Sequence, residues 1–240
     1  MVHGLSVSSR YMVPTARLLA RHRQIYAPDL PGFGKSGHPS TVLDIPALAD
    51  ALEGWLRILG VDRAVMVGNS MGCQIIAELA VRHPGRIERA VLVGPTVDRR
   101  GRTFLEQARR LLVNIPLEPL SSILTQGRDY WAAGLRRTIV TFRHALASPI
   151  EERLATTNFP ILIVRGEYDP IAPQRWCEEL ASLVPDGQFT TIPHAPHAAN
   201  YDAPMALARI VLEFLHAPPH ARPHALLSTE PEESAKQRHA

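Results

Sequence analysis

Along most of the chain, short apolar runs alternate with longer stretches of helical spacing. Residues 24–27, 65–67, 90–93, 161–164 and 188–192 read as strands. Ile161-Leu162-Ile163-Val164 is apolar at every position, as a parallel strand covered on both faces should be. Helical spacing covers 11–22, with Pro14 acceptable in the first turn, and 44–59, with Gly60 as its stop. It returns after Ser70 and at 176–183 and 205–215. From Arg99 to Thr157 the spacing stays helical but is punctuated by Pro116, Pro119, Gly127, Gly134 and Pro149, which predicts several short helices joined by turns. Alternating strands and helices predict an α/β fold, a mostly parallel doubly wound sheet. The expected organisation is a core of 1–98 and 158–216, a helical insertion at 99–157, and a disordered tail over 217–240, where Pro, His, Glu and Ser take over.

Composition narrows the function classes. A chain of 240 residues suffices for one α/β domain with an insertion. Its formal charge of +3 is too small to argue for nucleic acid. Yet 99–157 holds ten arginines against five carboxylates (Glu106, Glu118, Asp129, Glu151 and Glu152). That excess fits a solvated helical surface, or steering of an anionic substrate. No apolar run approaches the ~18 residues of a membrane span, and Gly4, Ser6, Ser8, Ser9 and Arg10 interrupt any signal-peptide layout. Cys73 and Cys177, the only cysteines, fall in expected helices and read as buried thiols of a cytoplasmic protein. Gly32-Phe33-Gly34-Lys35-Ser36 superficially resembles a phosphate loop, but Asp29 stands where such a loop needs glycine, so nucleotide binding is rejected.

The candidate chemistry centres on Ser70. The Val65-Met66-Val67 run stops at Gly68-Asn69-Ser70-Met71-Gly72, and helical spacing resumes at once. Gly68 and Gly72 lack a Cβ, so strand and helix can cross closely. Ser70 is expected at the tip of the turn, its Oγ exposed beside the first helical N–H groups, which suits a nucleophile. A plain Gly/Ser turn fits the same residues, so partners must come from elsewhere. Functional groups in open parallel sheets gather beyond the carboxyl ends of the strands. The strand exits here carry Ser70, Asp98, Asp169 and the pair His194/His197.

The order Ser…Asp…His is that of the α/β-hydrolase superfamily, and other segments resemble it too. These are His3-Gly4, Asp29-Leu30-Pro31-Gly32-Phe33-Gly34-Lys35-Ser36, Gly166-x-x-Asp169-Pro170, and Ile192-Pro193-x-Ala195-x-His197 followed by Asp202-x-Pro204. The resemblance covers residues 1 to about 216. It implies the α/β-hydrolase fold with 99–157 as a helical cap. It makes Ser70 the nucleophile, His197 its general base in preference to His194, and Asp169 the acid that orients the imidazole, in preference to Asp98. The backbone N–H groups of Met71 and Leu5 would bind the oxyanion. Glu167 reads as a solvated carboxylate, His3 as a structural residue of the oxyanion loop, and Cys73 as an inert core thiol. Asn69 either touches substrate or supports the turn. Tyr130, Trp131, Phe104 and Phe142 are candidates to line an apolar acyl pocket, or serve only as the core of the cap.

The implied activity is carboxylic ester hydrolysis through an acyl-enzyme. It needs no cofactor, and no metal-ligand spacing is present. The expected partner is a small ester or related acyl compound, anionic if the arginines steer it, with homo-oligomers left open. The turn is also similar to that of carbon–carbon bond hydrolases acting on meta-cleavage products, although those usually carry Trp after the histidine and Ala198 stands here. A binding-only, inactive member is the non-enzymatic alternative. The family's sheet normally carries strands ahead of its His-Gly motif, one of them separating the strand at Ile25 from that at Val65. With His-Gly at residues 3 and 4, the expectation is that N-terminal strands are missing and the natural protein begins upstream, or that a rearranged sheet or a partner supplies the pairing.

Overall fold

Four of the five apolar runs pair into one sheet. In the computed structural model, which describes residues 1–217, β1 (Ala64–Asn69), β2 (Ile87–Val93), β3 (Ile161–Gly166) and β4 (Gly187–Ile192) lie in the order β1-β2-β3-β4, all parallel. Every side chain of β3 is buried, as its unbroken apolar run predicts. Alternation along the strands divides the core into two layers. Met66, Ala90, Leu92, Ile161 and Ile163 belong to one, and Val67, Val91, Val93, Leu162 and Val164 to the other. Burying each such aliphatic side chain contributes about 1.5–3 kcal/mol.

The helices cover both faces. α1 (Val13–Leu19) and α10 (Pro204–His216) pack on the second layer, with Leu19, Leu207, Val211 and Phe214 as the contacts. α2 (Ile45–Ile58), α3 (Met71–Arg82) and α8 (Gln174–Leu183) pack on the first. α2 shows how local chemistry sets a boundary. Asp44 Oδ1 accepts from the Ala47 N–H at 2.9 Å, and Ile45, Leu48, Ala49, Leu52 and Leu56 form its buried stripe. Between β2 and β3 run α4 (Phe104–Asn114), α5 (Leu120–Ala133), α6 (Leu135–Ala147) and α7 (Ile150–Leu154), broken near the prolines and glycines that punctuate this stretch. α6 is tied to α3 by Gln74 Nε2, which donates to the carbonyls of Ala145 and Ser148 at 2.8 Å each. α5 is tied to the N-terminal loop by Ser8 Oγ and Arg10 Nη1, which donate to Asp129 at 2.6 and 2.8 Å. The four-residue α9 (Ala199–Asp202) precedes α10. No helix among the described residues is long and apolar enough to cross a membrane. The tail expected to be disordered lies, from residue 218 onward, outside the described residues.

Residues 24–27 correct the strand reading: they form no ladder. Their neighbour is the N-terminus, where the Met1 amino group donates to the Tyr26 carbonyl at 2.5 Å. Val2 in turn bridges to β1, its N–H donating to Val67 O at 2.8 Å and its carbonyl accepting from the Asn69 N–H at 3.1 Å. Beyond Val2 no strand separates Tyr26 from Val65. An open slot of about 510 Å³ remains, with Ile25, Trp55, Leu56, Val65, Val211 and Leu215 among its walls.

Asp29 fills the loop that resembles a phosphate site. Its carboxylate accepts from the backbone N–H groups of Ser9 (2.6 Å) and Lys35 (2.7 Å) and occupies the space over Gly34.

Candidate active site

β1 and α3 meet at Ser70, whose backbone is forced to φ 55°, a left-handed conformation rare outside glycine. The crossing is close. A Cβ at Gly68 would lie 2.9 Å from the Gly72 backbone, and one at Gly72 would lie 2.4 Å from Val2 O. Ser70 occupies the N-cap position of α3, yet its hydroxyl makes no capping bond and faces a cavity. Met71 is the first residue of α3, so its N–H has no partner within the helix. No hydrogen bond among the described residues engages the Leu5 N–H. Leu5 and Met71 both line the Ser70 cavity, whose volume is about 60 Å³.

His197 lines the same cavity. Its Nδ1–H donates to Asp169 Oδ2 at 2.8 Å, which leaves Nε2 as its open nitrogen. Asp169 is itself fixed, because Oδ1 accepts from the N–H groups of Ile171 (2.8 Å) and Ala172 (3.0 Å). Burial alone would lower the His197 pKa. The adjacent Asp169 carboxylate, with Glu118 and Asp202 further off, outweighs burial and holds it above the ordinary imidazole value.

The competing residues are engaged elsewhere. Asp98 bonds Arg175 (2.5 Å), Arg110 (3.0 Å) and the Arg100 N–H (3.1 Å). Burial opposes its ionisation, but these partners prevail and keep its pKa low. His194 is exposed, its ring bonded to Tyr168 Oη at 2.7 Å, and its N–H donates to Glu167. His3 is a clamp: Nδ1–H donates to Gly4 O (2.9 Å) while Nε2 accepts from the Leu30 N–H (3.0 Å). Asn69 supports the turn, its amide donating to Val93 O and His197 O at 3.3 Å each, and its side chain also lines the cavity. Cys73 and Cys177 are buried free thiols, and burial pushes the pKa of both up.

The aromatic candidates divide. Tyr130 and Phe142 line the cavity, and Phe104 stacks edge-on against Phe142 at 5.1 Å without lining it. Trp131 is a correction. It is 90% exposed, because one step along α5 from inward-facing Tyr130 rotates a side chain by about 100°. Several arginines of 99–157 are held in ion pairs. Arg102 pairs with Glu151, Arg109 and Arg110 with Glu106, and Arg153 with Glu78, and no arginine lines the cavity.

Sequence reasoning missed several residues that build the site. Gly94, at φ 54°, leaves room for the His–Asp pair. Arg165, buried, ties down the Asp169 loop through the carbonyls of Ala172, Glu167 and Asp169. A charge ending an otherwise apolar strand was the available signal for it. Asn114 Oδ1 accepts from the His197 N–H at 3.3 Å, a link across 83 residues that no local pattern marks. Among the described residues, no cluster of His, Cys, Asp or Glu stands close enough to hold a metal ion.

Comparison with known proteins gives this arrangement a context. The sequence profile described as Alpha/beta hydrolase family matches residues 1–210. RutD of Pseudomonas savastanoi pv. phaseolicola, which bears the name of a carbamate hydrolase, is 25% identical over 89% of this chain and 92% of its own. The 2-hydroxymuconate semialdehyde hydrolase of Pseudomonas sp. CF600 is 28% identical over 82% of this chain and 78% of its own. Among solved structures, a thermophilic esterase from Thermogutta terrifontis superposes with a TM-score of 0.76 at 22% identity, covering 89% of this chain and 87% of that one. The meta-cleavage product hydrolase CumD from Pseudomonas fluorescens IP01 gives 0.70 at 22% identity, with 89% and 88% covered. These structures share the fold, and the profile spans nearly the whole described chain: the protein belongs to the alpha/beta hydrolase family.

Proposed function

We propose that the protein is a serine hydrolase that cleaves carboxylic esters through an acyl-enzyme on Ser70. The observation that carries this reading is the shared cavity: the uncommitted Ser70 hydroxyl and His197, held by Asp169, line one small space. Serine is a poor nucleophile at its free pKa, so His197 Nε2 takes its proton as Oγ attacks the ester carbonyl. The imidazolium so formed is stabilised by Asp169, which also fixes the tautomer. The N–H groups of Met71 and Leu5 receive the oxyanion, and one such donor is worth about 3 kcal/mol in the transition state. Collapse expels the alcohol, which takes its proton from His197. Water, deprotonated by the same imidazole, then releases the acid. The helices of 99–157 form a cap, with Tyr130 and Phe142 as its substrate-facing aromatics.

Carbon–carbon bond hydrolysis is the second reading, favoured by the 28% identical semialdehyde hydrolase. Against it stand Ala198 after the histidine and a cavity wall with no arginine or lysine to receive a carboxylate.

A fluorophosphonate probe should label Ser70, and Ser70→Ala should abolish both labelling and hydrolysis of a short-chain aryl ester. Folded protein that resists labelling would favour an inactive, ligand-binding member. Turnover of a 2-hydroxy-6-oxo-dienoate well above that of aryl esters would favour the carbon–carbon reading.

A further inference from the structure

The ester-hydrolase reading leaves one buried carboxylate without a role. Glu118, in the turn between α4 and α5, is only 8% exposed. Its Oε1 accepts from Asn114 Nδ2 at 2.5 Å, and its Oε2 accepts from Ser122 Oγ at 3.1 Å and from Gln126 Nε2. Three donors converging on two oxygens fit the ionised, acceptor-only form. All three donors are neutral, so they solvate the charge without cancelling it. No ion pair among the described residues includes Glu118. A buried carboxylate without a cationic partner is costly, and an arriving cation would relieve that cost.

Glu118 also has an unusual position. Adjoining the Ser70 cavity is a second chamber of about 270 Å³, and the two share Leu111, Asn114, Glu118, Gln126 and Tyr130 in their walls. Glu118 is the single acidic residue lining either space, and no arginine or lysine lines them. The outer chamber is otherwise mostly apolar, with Ile115, Ile123 and Leu111 facing Tyr130. An apolar wall with one carboxylate and an aromatic ring suits an organic cation, whose charge is spread over a carbon surface. The same field opposes an anion, since the Asp169 carboxylate adds to it around His197.

We propose that the outer chamber is a subsite for an organic cation carried by the substrate, a quaternary or primary ammonium group, and that Glu118 selects it and rejects carboxylates. The proposal rests on the ester-hydrolase reading and adds the substrate class. The test compares three acetates of similar length: acetylcholine, its neutral carbon isostere 3,3-dimethylbutyl acetate, and 4-acetoxybutanoate. The wild type should favour the cation over the neutral ester by about tenfold in kcat/KM, equivalent to about 1.4 kcal/mol, and the neutral ester over the anion by a similar factor. Glu118→Gln should bring the cation-to-neutral ratio close to one, and Glu118→Asp should retain most of it. A ratio unchanged in Glu118→Gln, or a wild type that takes the carboxylate ester as readily as the neutral one, would overturn the proposal. Calorimetry on the wild type, choline against 3,3-dimethylbutanol, reads the same preference with neither a variant nor chemistry. If no ester is cleaved and the probe fails to label Ser70, the hydrolase reading falls. The subsite then stands on tighter binding of choline, and falls if the two ligands bind alike.

Discussion

Asp202 ends α9 with both carboxylate oxygens buried. Burial first, and then the nearby Glu118 carboxylate, raise its pKa from the usual 3.8 to about 7. The sign follows from linkage. The folded state holds a proton that the unfolded chain releases above pH 3.8, so Asp202 disfavours folding increasingly as pH climbs from about 4 to 7. Asp202→Asn should therefore raise the melting temperature at pH 8, by about 2–4 °C per kcal/mol recovered, and leave it nearly unchanged at pH 4. Scanning calorimetry at the two pH values checks this, and an equal shift at both would refute it. The sequence marked Asp202 only as part of an Asp-x-Pro motif, since burial of one carboxylate beside another is a product of tertiary packing. The reverse holds for Asp98, a plausible acid by its place at a strand exit, which Arg110 of the following helix and the distant Arg175 claim for structure.

At the scale of elements, strands and helices were legible wherever periodicity and local chemistry agreed. The Ser70 turn, the apolar run of β3 and the capped amphipathic α2 all fall where their residues predict. What periodicity could not supply was the space between elements. The end of β2 shows this. Gly94 follows the last residue of β2, and a Cβ there would sit 2.9 Å from His197 Cε1 and Nδ1 and 3.0 Å from Asp169 Oδ2. Gly94→Ala would push against the imidazole and carboxylate and also strain a left-handed backbone by about 1–2 kcal/mol. Displacement of a catalytic group by even 1 Å can cost about a hundredfold. Gly94→Ala should therefore lower kcat for an aryl ester by about 10–100-fold, with the rate of fluorophosphonate labelling falling in parallel, in protein that circular dichroism reports as folded. Unchanged labelling would mean that the pair shifts without consequence. In the sequence Gly94 reads only as the stop of a strand.

For the whole molecule, the parallel sheet with helices on both faces follows from the alternation of apolar runs and helices, and the shared fold of the solved relatives agrees with it. The gap beyond β1 was legible too, because no residues are left for a strand between Ile25 and Val65; what composition misread is 24–27, which have strand composition but no neighbouring strand to pair with. That slot gives β1 two unlike sides. The Ala64 and Ser70 N–H groups point to β2, whereas Val67 O and the Asn69 N–H point to Val2. By strict alternation, the N–H groups of Met66 and Gly68 face β2, and those of Val65 and Val67 face the slot. A volume of about 510 Å³ admits many waters, each needing about 30 Å³. Amide hydrogen exchange along this single strand should therefore alternate, fast at Val65 and Val67 and slow at Met66 and Gly68. Residue-resolved NMR exchange in D₂O reads this directly, and uniform protection from 65 to 68 would show the slot closed to solvent. The strand that presents Ser70 would thus be stiff toward the sheet and wet behind, its solvent memory written in every second amide.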